Sequence, residues 1–292
     1  MTDARVSVLC DIACHLGEGP SYDPATDTLY WFDIIEQRML ERRLADGRSR
    51  IHALPEMASA VAFSDDGRQV LVTETGVRLR DPASGQLTTI APIEADNALT
   101  RSNDARVHPS GSVWIGTMGK HAEHKAGAIY WFRAGEVRRL FPDVSIPNSI
   151  CFSPDGAIAY FTDTAKNILF RVDCDPATGL PTGEPVLFVD RRRMQGGIDG
   201  SVVDVEGNIW NAQWGGSCVA VYSPDGREMR RISMPVRQPS CPAFIGPRAD
   251  RLAVTSAWEG LDDAARRDDP EAGRTFMLDA AVNGRFEPHL VL

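Results

Sequence analysis

Hydrophobic and polar positions along the chain follow a unit that occurs six times. Each copy starts with an apolar segment, passes through a turn rich in Asp, Ser, Pro and Gly, and continues as a run of aromatic and β-branched residues. The copies read SYDPATDTLYWFDI, AFSDDGRQVLVTE, VHPSGSVWIGTM, CFSPDGAIAYFTDT, VVDVEGNIWNAQW and AFIGPRADRLAVTSA. Because aromatic and β-branched residues favour strands, each copy predicts two strands joined by a turn.

The copies are evenly spaced. The last turn residues before the second strand are Asp27, Gly67, Gly111, Gly156, Gly207 and Asp250. A strand–turn–strand unit repeated every 40–50 residues or so is typical of β-propeller blades. We therefore predict an all-β fold, one six-bladed β-propeller domain over residues 1–292. The alternatives are a β-sandwich and an open repeat array, but a sandwich does not account for turns in register.

The two ends of the sequence carry further strand-like segments, VSVLCDIA and RTFMLDAAV. We expect them to share one blade, because that arrangement closes the ring and removes its free sheet edges. For the charged stretch GLDDAARRDDPEAG, residues 260–273, we predict a loop with one helical turn.

Composition narrows the functional classes. The net charge of -9 disfavours nucleic acid and anionic lipid as partners, and 43% hydrophobic residues is ordinary for a globular protein. We see no signal peptide and no apolar run long enough for a membrane span. The six cysteines form no CxxC pair, which indicates free thiols in a reducing cytoplasm. A closed propeller needs no obligate protein partner.

Oxygen-bearing side chains occupy one register, eight or nine residues before the turn, in four of the copies: Glu18, Asn103, Asn148 and Asp199. Because the innermost strands of a propeller converge on its axis, these side chains should meet there. Two carboxylates at that position would repel each other unless a cation lies between them. Oxygen ligands suit Ca²⁺, Mg²⁺ or Mn²⁺, with Zn²⁺ or Fe²⁺ as alternatives. Taken singly, each residue is more often a turn or strand-start residue, and the shared register is what favours a metal site on the central axis.

The motifs LGEGPSYD, RSNDARVHPSGSVWIGTM, IPNSICFSPDG and DGSVVDVEGNIWNAQWGG resemble the regucalcin (senescence marker protein-30)/gluconolactonase family. The resemblance covers nearly the whole chain. It implies a six-bladed propeller with one divalent cation, Ca²⁺ being the first expectation. It also implies hydrolysis of a small-molecule sugar (aldono) lactone to the open-chain aldonic acid.

The resemblance extends to individual residues. Glu18, Asn148 and Asp199 match the metal ligands of the family, and Asp199 also matches its proposed general base. In that role Asp199 would take a proton from the attacking water while the cation polarises the lactone carbonyl.

Arg101 and Asn103 match the substrate-contacting pair of the family. Many animal members carry a Glu pair after the GTM motif, whereas in this chain the motif is followed by Gly119, Lys120 and His121. If His121 contacts the substrate, the pattern of hydroxyl groups that is recognised should differ.

Two other functions stay open at this point. One is a non-catalytic Ca²⁺-binding regulator of the regucalcin type, and the other is a metal-dependent propeller esterase or phosphotriesterase. No Gly-x-Ser-x-Gly elbow or Cys/His pairing predicts a covalent nucleophile, and no phosphate-binding loop predicts a nucleotide cofactor.

Overall fold

The computed structural model describes residues 5–292, and within them the strands form six four-stranded sheets. In chain order the elements are β1 (Arg5–Cys10), β2 (Gly17–Asp23), β3 (Thr28–Asp33), β4 (Arg38–Arg43), β5 (Ser49–Ala53), β6 (Ala58–Phe63), β7 (Gln69–Thr73), β8 (Gly76–Arg80), β9 (Leu87–Pro92), β10 (Thr100–Val107), β11 (Val113–Gly119), β12 (Gly127–Arg133), β13 (Glu136–Val144), β14 (Pro147–Phe152), β15 (Ile158–Asp163), β16 (Ile168–Asp173), β17 (Val186–Asp190), β18 (Gly197–Val203), β19 (Ile209–Trp214), β20 (Cys218–Tyr222), β21 (Glu228–Ser233), β22 (Pro239–Ile245), β23 (Arg251–Ser256), α1 (Asp263–Asp268) and β24 (Thr275–Asp279).

Five blades are antiparallel meanders of consecutive strands, starting at β2, β6, β10, β14 and β18. The sixth blade joins β22, β23 and β24 to the N-terminal β1, with Arg5 paired to Asp279. The six-bladed all-β propeller is therefore confirmed, including the blade shared by the two ends. That residues 1–292 form one domain stays a prediction, of which residues 1–4 lie outside the described part of the chain.

The innermost strands β2, β6, β10, β14, β18 and β22 each contact the innermost strands on both sides, so they surround a central channel. Apolar side chains fill the space between blades. Between the third and fourth blades, Trp114 packs edge-to-face on Phe152 at 5.4 Å, and its indole N–H donates to the Gly179 carbonyl at 2.8 Å. Burial of such side chains contributes about 25 cal/mol per Å² and holds neighbouring blades at a fixed angle.

The predicted helical turn is α1, which lies in the connection between β23 and β24, residues 257–274. Its N-cap is Asp262, whose side chain accepts a hydrogen bond from the Ala265 backbone N–H at 2.8 Å. All six cysteines are buried and unpaired, in line with the prediction of free thiols. None of the helical structure in residues 5–292 is long and apolar enough to cross a membrane.

Residues 280–292, which we call the C-terminal strap, cross the end of the channel where the innermost strands finish. The strap donates backbone hydrogen bonds from Leu290 to the Phe63 carbonyl at 2.8 Å and from Val291 to the Gly111 carbonyl at 2.9 Å. Within the strap, Glu287 forms an ion pair with the buried Arg106 of β10. This end of the channel is therefore filled by protein.

Candidate active site

A cavity of about 530 Å³ lies at the other end of the channel, where the innermost strands begin. All the residues singled out from the sequence line it: Glu18, Arg101, Asn103, His121, Asn148 and Asp199. Further lining residues are Leu16, Met118, Lys120, Ala122, Ile146, Thr164, Trp214, Glu259 and Gly260. The structure therefore brings together side chains that lie far apart in the sequence.

Every innermost strand shifts register against its neighbour soon after it begins, which is the end of the strand nearest the cavity. Glu18 and Asn148 are the last paired residues before this β-bulge, whereas Asn103 and Asp199 lie inside it. A bulge bends its strand and redirects side chains. The position eight or nine residues before the turn therefore corresponds to two slightly different places on the strand, one just before the bulge and one inside it. The repeat pattern in the sequence does not reveal the bulge.

Gly19, which follows Glu18, illustrates how tightly the bulge is packed. Its φ is +54, and a Cβ atom at this position would lie 1.8 Å from the Ser59 carbonyl oxygen of the second blade. Only glycine fits here, and the Gly19 backbone N–H in turn donates to the Glu18 carboxylate at 3.0 Å.

Two carboxylates are buried in the cavity floor, with Glu18 5% exposed and Asp199 3% exposed. Burial, followed by the nearby charge of Asp104, raises the pKa of Glu18 above its ordinary value. Burial, followed by the charge of Glu18, raises the pKa of Asp199 well above its ordinary value. Both shifts have the same cause, which is negative charge held away from water without enough positive charge beside it.

A chain of hydrogen bonds fixes the amides beside this pair. Arg101 Nη1 donates to Asn103 Oδ1 at 2.8 Å, and Asn103 Nδ2 donates to Asn148 Oδ1, also at 2.8 Å. Asn148 Nδ2 donates to Thr164 Oγ1 at 2.9 Å, which donates to the Ile198 carbonyl at 2.7 Å. Because the amide nitrogen of Asn148 donates to Thr164, its amide oxygen is held on the side of Asn103. That oxygen has two lone pairs, and the bond from Asn103 uses one of them.

The carboxylate and amide oxygens of this site suit a divalent cation, since a hard cation prefers such ligands and would compensate the buried negative charge. No group of three His, Cys, Asp or Glu side chains within residues 5–292 is placed to hold an ion. A cation here would therefore have to use an amide oxygen, such as that of Asn148, beside the carboxylates of Glu18 and Asp199.

Two aspartates at strand ends brace the segments that lead into the cavity. Asp33, at the end of β3, accepts the backbone N–H groups of residues 15–16 at 3.0 and 3.1 Å. Asp163, at the end of β15, accepts those of residues 145–146 at 3.2 and 3.1 Å. The matching motifs LYWFDI and YFTDT were visible in the sequence, but the bracing contact was not predicted.

The mouth of the cavity carries a mixture of charges. Lys120 is ion-paired with Glu74, and the exposed His121 donates its backbone N–H to the Glu123 carboxylate at 3.1 Å. Glu259 reaches the cavity from the opposite side, on the connection that contains α1. Sequence reasoning missed Glu259, because this connection lies outside the repeated unit and gives no periodic signal.

The profile described as SMP-30/Gluconolactonase/LRE-like region matches residues 16–258. The sequence is 53% identical over 280 residues to a Rhizobium meliloti (strain 1021) protein provisionally named a sugar lactone lactonase, covering 96% of this chain and 95% of that protein. It is 39% identical over 279 residues to L-arabinolactonase of Azospirillum brasilense, covering 94% of this chain and 91% of that protein. The crystal structure of regucalcin, described as a calcium-binding protein, from Agrobacterium tumefaciens str. C58 superposes with a TM-score of 0.96 at 51% identity, over 100% of this chain and 98% of that chain.

Proposed function

Because this chain belongs to the SMP-30/gluconolactonase/LRE-like family, as its motifs predicted, we propose that it hydrolyses a sugar lactone to the open-chain aldonic acid. Two relatives that align over nearly the whole chain carry lactonase names. The observation that carries the proposal is the cavity in which the buried carboxylates of Glu18 and Asp199 lie beside hydrogen-bonded amides and the Arg101 guanidinium.

We place one divalent cation at Glu18, Asn148 and Asp199, with Ca²⁺ as the first candidate. Oxygen ligands favour such an ion, and the regucalcin relative is described as calcium-binding. When bound, the cation would supply Lewis-acid chemistry, polarising a lactone carbonyl and making a nearby water more acidic.

The remaining chemistry falls to the side chains of this chain. Asp199 accepts a proton as the water oxygen bonds to the carbonyl carbon, and it returns a proton to the ring oxygen as the ring C–O bond breaks. Arg101 and Asn103 orient the lactone: the Asn103 amide is fixed by its bonds to Arg101 and Asn148, and the free N–H groups of Arg101 can donate to substrate oxygens. His121, at the mouth, contacts the hydroxylated end of the substrate.

Acid release from a panel of aldono-1,4- and 1,5-lactones tests this proposal. The chelator-treated protein should regain activity on addition of Ca²⁺, Mn²⁺, Mg²⁺ or Zn²⁺. Asp199→Asn should lower kcat by about 10²- to 10⁴-fold, because it removes the base. Asp173→Asn, which changes an exposed carboxylate on the fourth blade, should behave as wild type.

Glu18→Gln addresses the cation separately. The variant should bind Ca²⁺ at least tenfold more weakly by titration calorimetry, since one anionic ligand becomes neutral. Unchanged Ca²⁺ affinity would place the cation elsewhere, and full activity of Asp199→Asn would remove Asp199 from the mechanism.

A non-catalytic calcium-binding protein is the second candidate, favoured by the description of the regucalcin relative. It predicts Ca²⁺ binding that depends on Glu18 but no acid release from any lactone. An esterase or phosphotriesterase is less well supported, because a site for apolar acyl groups would not need Arg101 and Lys120 in its wall.

A further inference from the structure

We propose that Glu259 is a specificity-determining residue of this cavity. Its carboxylate accepts a hydrogen bond from a hydroxyl group of the lactone and disfavours lactones that carry a negative charge. The inference rests on the proposed lactonase function and identifies the substrate class as neutral, polyhydroxylated lactones.

The backbone around Glu259 is held in place from two sides. The Glu259 N–H donates to the His15 carbonyl at 3.0 Å, and Gln238 Nε2 donates to the Glu259 carbonyl at 2.9 Å. The preceding residue, Trp258, stacks on the His15 ring at 3.9 Å, and the Arg266 guanidinium lies 4.1 Å from the Trp258 ring centroid. Glu259 is therefore presented to the cavity by a fixed segment, although the connection itself is long.

The Glu259 carboxylate is available to a ligand. Within residues 5–292, no side chain forms a hydrogen bond or an ion pair with it, whereas Lys120 at the same mouth is already paired with Glu74. A carboxylate accepts hydrogen bonds only, and a polyhydroxylated lactone offers several donors. The free acceptor and the expected ligand are chemically complementary.

The charge of Glu259 acts on the part of the cavity where the lactone would lie. Burial lowers the pKa of Arg101, and Glu259 is the carboxylate that opposes this shift most strongly, ahead of Glu18. Both Glu259 and Arg101 line this cavity. A substrate carboxylate or sulfonate near Arg101 would also meet the negative charge of Glu259, so the cavity penalises anionic substituents.

The test compares kcat/KM for a neutral aldono-1,4-lactone and for an aldaro-1,4-lactone, which carries one carboxylate. Glu259→Gln keeps the size of the side chain and removes its charge. Its kcat/KM for the neutral lactone should fall about tenfold, mainly through KM, because a charge-assisted hydrogen bond is weakened. The kcat/KM for the aldono-1,4-lactone divided by that for the aldaro-1,4-lactone should fall by about tenfold or more.

Asp263→Asn is the matched control, since Asp263 is an exposed carboxylate on the same connection and does not line the cavity. This variant should keep the wild-type ratio. Glu259→Asp keeps the charge on a shorter side chain, so it should raise KM but retain the discrimination against the aldarolactone.

The outcomes separate this inference from the function it rests on. If the wild type hydrolyses the neutral lactone and Glu259→Gln leaves the ratio unchanged, Glu259 does not set specificity and the lactonase proposal stands. If Glu259→Gln is too unstable to assay, Glu259→Asp decides: loss of discrimination with the charge retained overturns the inference. If the wild type hydrolyses neither lactone, the proposed function fails, and this inference with it.

Discussion

At the scale of single residues, His108 shows how burial settles the protonation of a side chain. It is fully buried, with Nε2 2.8 Å from the Gly156 carbonyl, and Nδ1 accepts the Ser110 backbone N–H at 3.0 Å. A neutral ring with its proton on Nε2 satisfies both contacts. Burial lowers the pKa of His108 below its ordinary value of 6.5.

This pKa shift predicts an acid-sensitive contribution to stability. Below about pH 6.5 the unfolded chain binds a proton at His108 while the folded ring stays neutral, so the free energy of unfolding decreases as the pH falls. Below about pH 6.5, the free energy of unfolding of the wild type should fall by up to about 1.4 kcal/mol per pH unit more than that of His108→Gln. Measurements between about pH 8 and pH 5 cover this interval. Denaturant unfolding at several pH values measures the difference.

The control for this comparison is His124→Gln, which changes an exposed histidine in the loop between β11 and β12. It should follow the wild-type pH dependence. Equal slopes for His108→Gln and wild type would mean that His108 is protonated to the same extent in the folded and unfolded chains.

At the scale of strands and turns, the bracing aspartates connect the repeat to the cavity. Asp163 is 3% exposed, and it holds two backbone N–H groups in the segment just before Asn148. Asp163→Ala should leave both donors unpaired, lower the free energy of unfolding by about 2 kcal/mol and reduce kcat/KM at least tenfold by displacing Asn148.

Asp173→Ala offers a matched comparison, because Asp173 is an exposed residue at the end of the next strand, β16. Unfolding curves and lactone hydrolysis should both stay near the wild-type values for this variant. Normal activity of Asp163→Ala would show that Asn148 is positioned by its own strand alone.

The sequence predicts much of the structure at this scale, for identifiable physical reasons. Strand pairs and turns follow from local chemistry, and Glu18, Asn148 and Asp199 could be proposed because the repeat places each of them eight or nine residues before a turn. The bulges could not be predicted, since they depend on packing between blades, as at Gly19 against Ser59. Glu259 was missed because its position depends on contacts with distant segments.

At the scale of the whole molecule, the C-terminal strap closes the end of the channel opposite the cavity. Arg106 is 7% exposed, and the strap residue Glu287 supplies its ion-pair partner. Glu287→Gln should lower the free energy of unfolding by up to about 3 kcal/mol, because the buried Arg106 loses its ion-pair partner and keeps only the nearby charge of Asp104. Denaturant titration measures this loss.

Glu136→Gln breaks an exposed ion pair with Arg138 and is the control for the strap. Its cost should stay below about 1 kcal/mol, as is usual for surface pairs. A similar small cost for Glu287→Gln would mean that water or another group compensates Arg106 and that the strap contributes little through this contact.

The pairing of β1 with β24 also affects how the protein is made. Arg5 and Asp279 are far apart in the sequence, so β1 leaves the ribosome long before its partner β24 is translated. During that time the nascent chain exposes unpaired strand edges that are prone to aggregation. The sixth blade, which lies between the blades that carry Asp199 and Glu18, is complete only after β24 takes its place between β23 and β1. We therefore expect ribosome-bound fragments ending before β24 to depend on chaperones.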